Sequence, residues 1–308
     1  MTFQPNESEI RFLSSLADYR VLTVGQVSAL QSKDVQVVRR RLNKLQAAGL
    51  VETAPLAISR GRGRPEGVVS LAPRAMKLLH GEGLLPATIG LEHAGTIAPR
   101  LVRHQLALNW FRLHLAQIPQ LRPQMMTTFF CPASPFTPRR DDGQPIVVET
   151  AISDEGCGGS ATFTPDGVFS ITDRERQKTL LFFLEADMGT ETKASPSGTG
   201  RDVRQKIRSY QACFRSGRYK RYEKVWNCTL RGLRLLILTS TSARRSALCR
   251  LVQETPPSDF IWLTDLDQLL GRGLAAPIWA RGGRLNLPAE SILGQAAVTE
   301  VERAPRLP

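Results

Sequence analysis

The sequence has no run of eighteen apolar residues, the least that a helix needs to cross a bilayer, so no membrane span is expected. Its opening residues, Met-Thr-Phe-Gln-Pro-Asn-Glu-Ser-Glu, have neither a basic region nor an apolar one, so no secretory leader is expected either. Cysteine is sparse and unpatterned. Cys131, Cys157, Cys213, Cys228 and Cys249 are odd in number, and no two form a CxxC pair. That argues against a zinc knuckle or a disulfide framework and points to a reducing cytosol. No clean coiled-coil repeat is visible. Acids are in deficit: 28 Asp and Glu stand against 41 Lys and Arg, a formal net charge of +13. A chain this basic meets a polyanion, and nucleic acid is the first candidate; a merely solubilising surface is the plainer alternative. The 308 residues, 42% of them apolar, suffice for two domains with sizeable cores.

What the chain does have is organised around Leu180-Leu-Phe-Phe-Leu-Glu185-Ala-Asp187. Five apolar residues in a row read as a strand buried on both faces. The strand runs straight into two carboxylates, and the alternation of side chains puts Glu185 and Asp187 on one face. Upstream, residues 162–171 read as a second strand, bent at Pro165-Asp166-Gly167, with residues 172–178 as the hairpin turn between the two. Asp166 is thereby expected beside Glu185 and Asp187. Three such acids make an oxygen-ligand site suited to Mg²⁺ or Mn²⁺. Ordinary solvated acids at strand ends are the alternative.

The first eighty residues read as helix, helix, helix, basic hairpin, helix. Residues 8–19 carry an amphipathic pattern, Thr23 caps a second helix to Gln31, and a third runs from about Asp34 to the stop signal Gly49. On the third helix Val35, Val38, Leu42 and Leu45 form the apolar stripe. Gln36, Arg40 and Asn43 lie opposite it, and Arg39, Arg41 and Lys44 flank them. Apolar face inward, base readers in front and phosphate binders at the edges is the layout of a recognition helix. Strands at 50–53 and 67–71 flank Ser59-Arg60-Gly-Arg62-Gly-Arg64-Pro65, a Gly-rich tip resembling the wing of a winged helix-turn-helix domain. Arg62-Gly-Arg64-Pro65 also resembles the core of an AT-hook, which enters an A·T minor groove. Between Arg20 and Arg64 nine cations face two acids. A helical protein-interaction module is the competing reading.

Residues 1–82 are thus expected to form a winged helix-turn-helix domain that binds double-stranded DNA, and 83–98 a linker. A second domain spans 99–287. It opens with a long helix at 99–118, passes an irregular stretch at 119–140 with five prolines, and begins its strands at 146–152. After the two acid-bearing strands come a helix at 201–215 carrying Lys206, a strand at 232–239, a helix to about Gln253 and a strand at 260–263. The strand-helix-strand unit requires a parallel pair, so the domain is an α/β sandwich on a mixed sheet. Residues 288–308 read as a loosely attached tail.

Pro165-Asp166 followed by Glu185-Ala186-Asp187 resembles the PD-(D/E)xK restriction-endonuclease-like fold. The resemblance implies Mg²⁺ on Asp166 and Glu185 and a motif lysine, whose place Asp187 takes here. Lys206 is the substitute cation and Lys193 a second one. The combination of Tyr19-Arg-Val-Leu-Thr23, residues 39–50, His104-Gln-Leu-Ala-Leu-Asn109 and Phe183-Leu-Glu-Ala-Asp-Met-Gly-Thr-Glu191, with Lys206 and Tyr210 downstream, is similar to the replication-relaxation family of plasmids and integrative elements. That resemblance implies a cytoplasmic, bacterial, nucleoid- or plasmid-associated DNA-binding protein. Its role would lie in replication or mobilisation, with relaxase or replication proteins as partners and a homodimer as one assembly. Three functions stand open: a metal-dependent DNA endonuclease, with Asp166, Glu185, Asp187 and Lys206 as its catalytic set; a non-catalytic replication factor or repressor on a nuclease-like fold; and a ligand-sensing transcription regulator.

Overall fold

The computed structural model describes residues 3–56, 67–152, 160–189 and 202–294. These divide into two compact units. One holds the residues up to Leu113 together with Ala133–Thr137; the other holds His114–Pro132 and the described residues from Pro138 onward.

In the first unit, α1 (Glu7–Tyr19) starts at Asn6, whose side chain accepts from the Glu9 N–H while Glu9 reaches back to the Asn6 N–H. This reciprocal pair satisfies two backbone donors that the first turn leaves open. A short strand β1 (Val21–Thr23) leads into α2 (Val24–Gln31), where Thr23 and Gln26 repeat the same capping pair. Asp34 caps α3 (Val35–Ala47), which ends at Gly49 with φ +67°, a conformation that costs glycine nothing. Strands β2 (Val51–Pro55) and β3 (Gly67–Leu71) pair antiparallel, and β1 adds to β3 to give the order β1-β3-β2. Helix α4 (Pro73–Gly81) closes the unit with Pro73 in its first turn, where a missing N–H is harmless. Leu13, Leu16, Leu22, Leu45 and Leu71 are fully buried, each contributing about 1.5–3 kcal/mol. Leu85 and Ile89, inside the span read as a linker, are buried in this same core.

Helix α5 (Pro99–Leu121) begins in the first unit, and the division between units falls inside it, after Leu113. Its polar residues hold the corner between α1 and β1. Asn109 Nδ2 donates to Tyr19 O at 3.1 Å and Val21 O at 2.6 Å, and Gln105 Nε2 donates to Asn109 Oδ1 at 3.0 Å. Arg112 stacks over the Tyr19 ring at 3.9 Å and pairs with Asp18. These partners fix Arg20 at φ +68°, a conformation that a residue other than glycine rarely adopts. Asn109→Ala would strand two buried carbonyls and is expected to cost about 2–4 kcal/mol, read as a lower urea midpoint.

The second unit is built on a six-stranded mixed sheet. Its strands are β4 (Met125–Phe130), β7 (Gly167–Asp173), β8 (Lys178–Asp187), β9 (Leu233–Thr239), β10 (Ile261–Asp265) and β11 (Ala280–Arg281), in the order β11-β10-β9-β8-β7-β4. The pairs β8–β9 and β9–β10 are parallel; the other neighbours are antiparallel. Helices α6 (Val203–Arg215) and α8 (Ser242–Gln253) supply the parallel crossovers, with a short α7 (Tyr222–Trp226) between α6 and β9 and α9 (Leu266–Arg272) after β10. Strands β5 (Glu149–Ile152) and β6 (Ser160–Phe163) form a separate antiparallel ribbon.

Four expectations change here. The stretch 162–171 is not one bent strand: Pro165 cannot donate to a ladder, so β6 ends at Phe163 and β7 begins at Gly167 in another sheet. The strand expected at 146–152 is only four residues long and belongs to the ribbon. The stretch 119–140 is not wholly irregular, since the segment between Pro123 and Pro132 forms edge strand β4. Residues 288–294 are not loose: Ile292 and Ser291 are buried, and Glu290 bridges to Trp279.

No helix among the described residues is long and apolar enough to cross a membrane. His114, in the part of α5 that belongs to the second unit, is buried, and burial pushes its imidazole down to about 4. The folded chain then binds this proton more weakly than the unfolded chain. The stability it contributes is complete above about pH 6.5 and is lost as pH falls towards about 4, about 3 kcal/mol in all. Urea unfolding at about pH 7.5 and about pH 5 should differ accordingly, and His114→Phe should flatten the difference.

Candidate functional site

The site lies where β8 ends. Residues 181–184 are buried among the sheet's apolar side chains, so Glu185 enters the protein already desolvated. In α6, Asp202 caps the first turn, Val203, Ile207 and Tyr210 turn inward, and Lys206 and Tyr210 stand one helical turn apart. Both reach Glu185. Lys206 Nζ donates to Oε2 at 3.2 Å, and the Tyr210 hydroxyl donates to Oε1 at 2.6 Å. Asp166 sits in the turn before β7, and its Oδ2 accepts the Ala186 N–H at 2.8 Å, which brings its carboxylate beside Glu185. Burial first and the Asp166 charge second push the Glu185 carboxyl up to about 7, against Lys206 and Tyr210, which pull it down. The Tyr210 phenol is raised well above its ordinary value by burial and by Glu185, so it stays a neutral donor. A cavity of about 20 Å³, room for one water, is lined by Glu185, Asp187, Lys206 and Tyr210.

Asp187 lines the same cavity but is held differently. Arg244, on the first turn of α8, grips it with two bonds: Nε to Oδ1 at 3.0 Å and Nη2 to Oδ2 at 2.8 Å. The Gly189 N–H adds a third bond to Oδ1 at 2.7 Å. Among the described residues no group of three or more His, Cys, Asp or Glu could hold a metal ion. The three acids of the sequence reading therefore separate into an adjacent pair, Asp166 and Glu185, and an ion-paired Asp187. Arg244 had no sequence signal, because it lies 57 residues from its partner. Tyr210 is part of the family resemblance, and its bond to Glu185 could have been foreseen, since it is the residue four after Lys206.

On α3, Gln36, Arg39, Arg40 and Asn43 are exposed, as the helical wheel requires. Arg41 and Lys44 turn back to α1. Arg41 donates to Gln31 Oε1 and to Ser8 O, and its guanidinium lies over Phe12. Lys44 pairs with Glu9 at 3.0 Å and lies over Phe3. Two of the three expected flanking cations are thus engaged within the unit. Arg60, Arg62, Arg64 and Lys193 lie outside the described residues.

Neither the curated proteins nor the solved structures provide a match for the chain. The family described as replication-relaxation matches residues 13–229, more than half of the sequence. The chain belongs to the replication-relaxation family.

Proposed function

We propose that the protein binds DNA in the replication or mobilisation of a plasmid or integrative element, and that its second unit cuts DNA with Mg²⁺ or Mn²⁺. The observation that carries the cleavage reading is the convergence of Asp166, Glu185 and Lys206 at the end of one buried strand. Two crowded carboxylates, one of them with a raised pKa, are a donor set that a divalent cation relieves. Mg²⁺ needs no more than one or two carboxylates when water and phosphate complete its shell. The pair therefore fits such an ion, with Asp166 and Glu185 holding it and Asp187 excluded by Arg244. Bound there, the ion supplies Lewis-acid charge and lowers the pKa of water. Lys206 stands where it can orient an attacking water and balance negative charge growing on a phosphodiester. Tyr210 fixes the Glu185 carboxylate. This is the arrangement of a PD-(D/E)xK nuclease whose lysine has moved from the strand to the following helix.

The element order of the first unit and the exposed set Gln36, Arg39, Arg40 and Asn43 support a winged helix-turn-helix that reads duplex DNA. Replacing Arg40 or Asn43 by Ala is expected to relax sequence preference by about 1–3 kcal/mol per lost base contact, read by competition binding on a selected site. Lys44→Ala should weaken DNA binding less than Arg40→Ala, because Lys44 is committed to Glu9.

A second reading, a non-catalytic replication factor or repressor, is favoured by one fact: both Glu185 oxygens already have partners within the protein. Incubation of supercoiled plasmid with the full chain and Mg²⁺ or Mn²⁺ separates the two. Nicking that EDTA stops supports the nuclease. DNA binding with no nicking leaves the factor.

A further inference from the structure

The opposite end of the six-stranded sheet, where β8 begins, carries a surface that the acid site does not use. Lys178 and Glu185 are seven residues apart on one strand, about 23 Å at the usual rise. Two open cavities of about 790 and 730 Å³ meet at the β7–β8 turn and share Gln177, Thr179 and Thr229. Arg174, Arg176, Lys178, Arg231 and Arg234 line them, and among the described residues no carboxylate does. Protein surfaces ordinarily intersperse the two signs, so four cations around the first recess and a fifth on the second call for an anionic occupant.

Three of the cations have at most weak internal partners, while Arg174 donates to Met126 Sδ and Arg234 is packed into the wall. Arg174, Arg176, Lys178 and Arg231 are exposed. Among the described residues Lys178 and Arg231 have no ion-pair partner, and Arg176 has only Asp173 at 3.7 Å. Arg234 forms part of the wall: its guanidinium lies over Trp262 at 4.5 Å, and it donates to Ile292 O. Hydroxyls floor the second cavity in cross-strand pairs, Thr128 with Ser170 at 2.7 Å and Thr172 with Thr179 at 3.0 Å. Arginine, lysine, threonine and glutamine together are the side chains that contact phosphate oxygens in protein–DNA complexes. Trp226 also lines this cavity, but its ring is stacked against Phe130 and Tyr222 and is no platform for a base. Recognition here runs through backbone phosphates and is tolerant of sequence.

We infer that this end of the sheet binds a single strand of DNA through its phosphates, in a groove distinct from both α3 and the acid site. One flexible strand can bend through both recesses, whereas a duplex, stiff over about 150 base pairs, does not follow such a turn. Charged grooves that track a single backbone are the common solution for this ligand. The inference rests on the proposal that DNA is the partner and adds a strand-selective surface to it.

The test is fluorescence anisotropy with the full chain in EDTA, using labelled oligo-dT of about twenty nucleotides and a duplex of equal length. Lys178→Glu with Arg231→Glu is expected to weaken oligo-dT binding at least tenfold. It should also flatten the slope of log K against log salt by about 1.4, two single-strand contacts' worth. Its duplex affinity should stay within about threefold, while Arg39→Ala with Arg40→Ala should weaken the duplex and spare oligo-dT. If the reversed pair fails to fold, Lys178→Gln with Arg231→Gln carries the same test with a loss of about fivefold. Oligo-dT affinity left unchanged overturns the groove, as does an equal loss for both ligands or a wild-type chain that binds duplex alone. A wild-type chain that binds neither DNA overturns the DNA reading itself.

Discussion

Lys206→Met is expected to slow Mg²⁺-dependent nicking by about 10²–10³-fold without weakening the binding of Mg²⁺. The reason lies in the two things this lysine does. In the folded chain it is a counter-ion, 3.2 Å from Glu185 Oε2, and it competes there with any divalent cation. In the proposed cleavage it acts on the substrate as well: among the described residues it is the cation bonded to Glu185, and at 36% side-chain exposure it is open to solvent. Its removal takes away the charge that a developing phosphorane needs, while the carboxylates stay in place and are more available. Asp166→Ala and Glu185→Ala should behave oppositely, losing the nicking and the metal together. Metal binding is read separately from turnover as the Mg²⁺-dependent gain in stability, about 1.4 kcal/mol at ten times Kd. Wild type and Lys206→Met should show that gain, and the two acid variants should not. Wild-type nicking by Lys206→Met would make the lysine a structural partner of Glu185 and nothing more.

Local signals in the sequence carried the elements, and long-range pairing carried what they missed. Thr23, Asp34 and Thr241 cap the helices that were expected after them, and Gly49 ends α3, because each of these devices works within one turn of chain. The apolar run into Glu185 is likewise self-contained, so β8 and the common face of its two acids were readable. Strand β4 was hidden because it sits between prolines and completes its hydrogen bonds only with β7, some forty residues away. The assignment of Asp187 depended on Arg244, and the wheel of α3 could not reveal that Ser8 and Glu9 occupy the side where Arg41 and Lys44 emerge. A helical wheel fixes the direction of a side chain and is blind to what another helix has placed there.

The pairing of Asp187 with Arg244 also sets the second large expected effect. Arg244→Ala should lower stability by about 3–5 kcal/mol, because it leaves a buried carboxylate without its counter-charge. The pair is bidentate, and the two side chains are 12% and 7% exposed, so solvent does little to screen the loss. Converting both residues to leucine should cost far less than the single change, since an apolar pair leaves no charge behind. Urea unfolding of the single and double variants measures the difference directly. In the proposed metal site the same pair sets how many carboxylates are left to hold the ion. With Asp187 committed to Arg244, Asp187→Asn is expected to cost stability yet keep nicking by the folded protein within about tenfold of wild type. A loss as deep as that of Asp166→Ala would mean that Asp187 leaves Arg244 and joins the metal when DNA binds. In Arg244→Ala that exchange is forced: the freed Asp187 gives the site a third carboxylate, so Mg²⁺ should restore more stability to this variant than it adds to wild type.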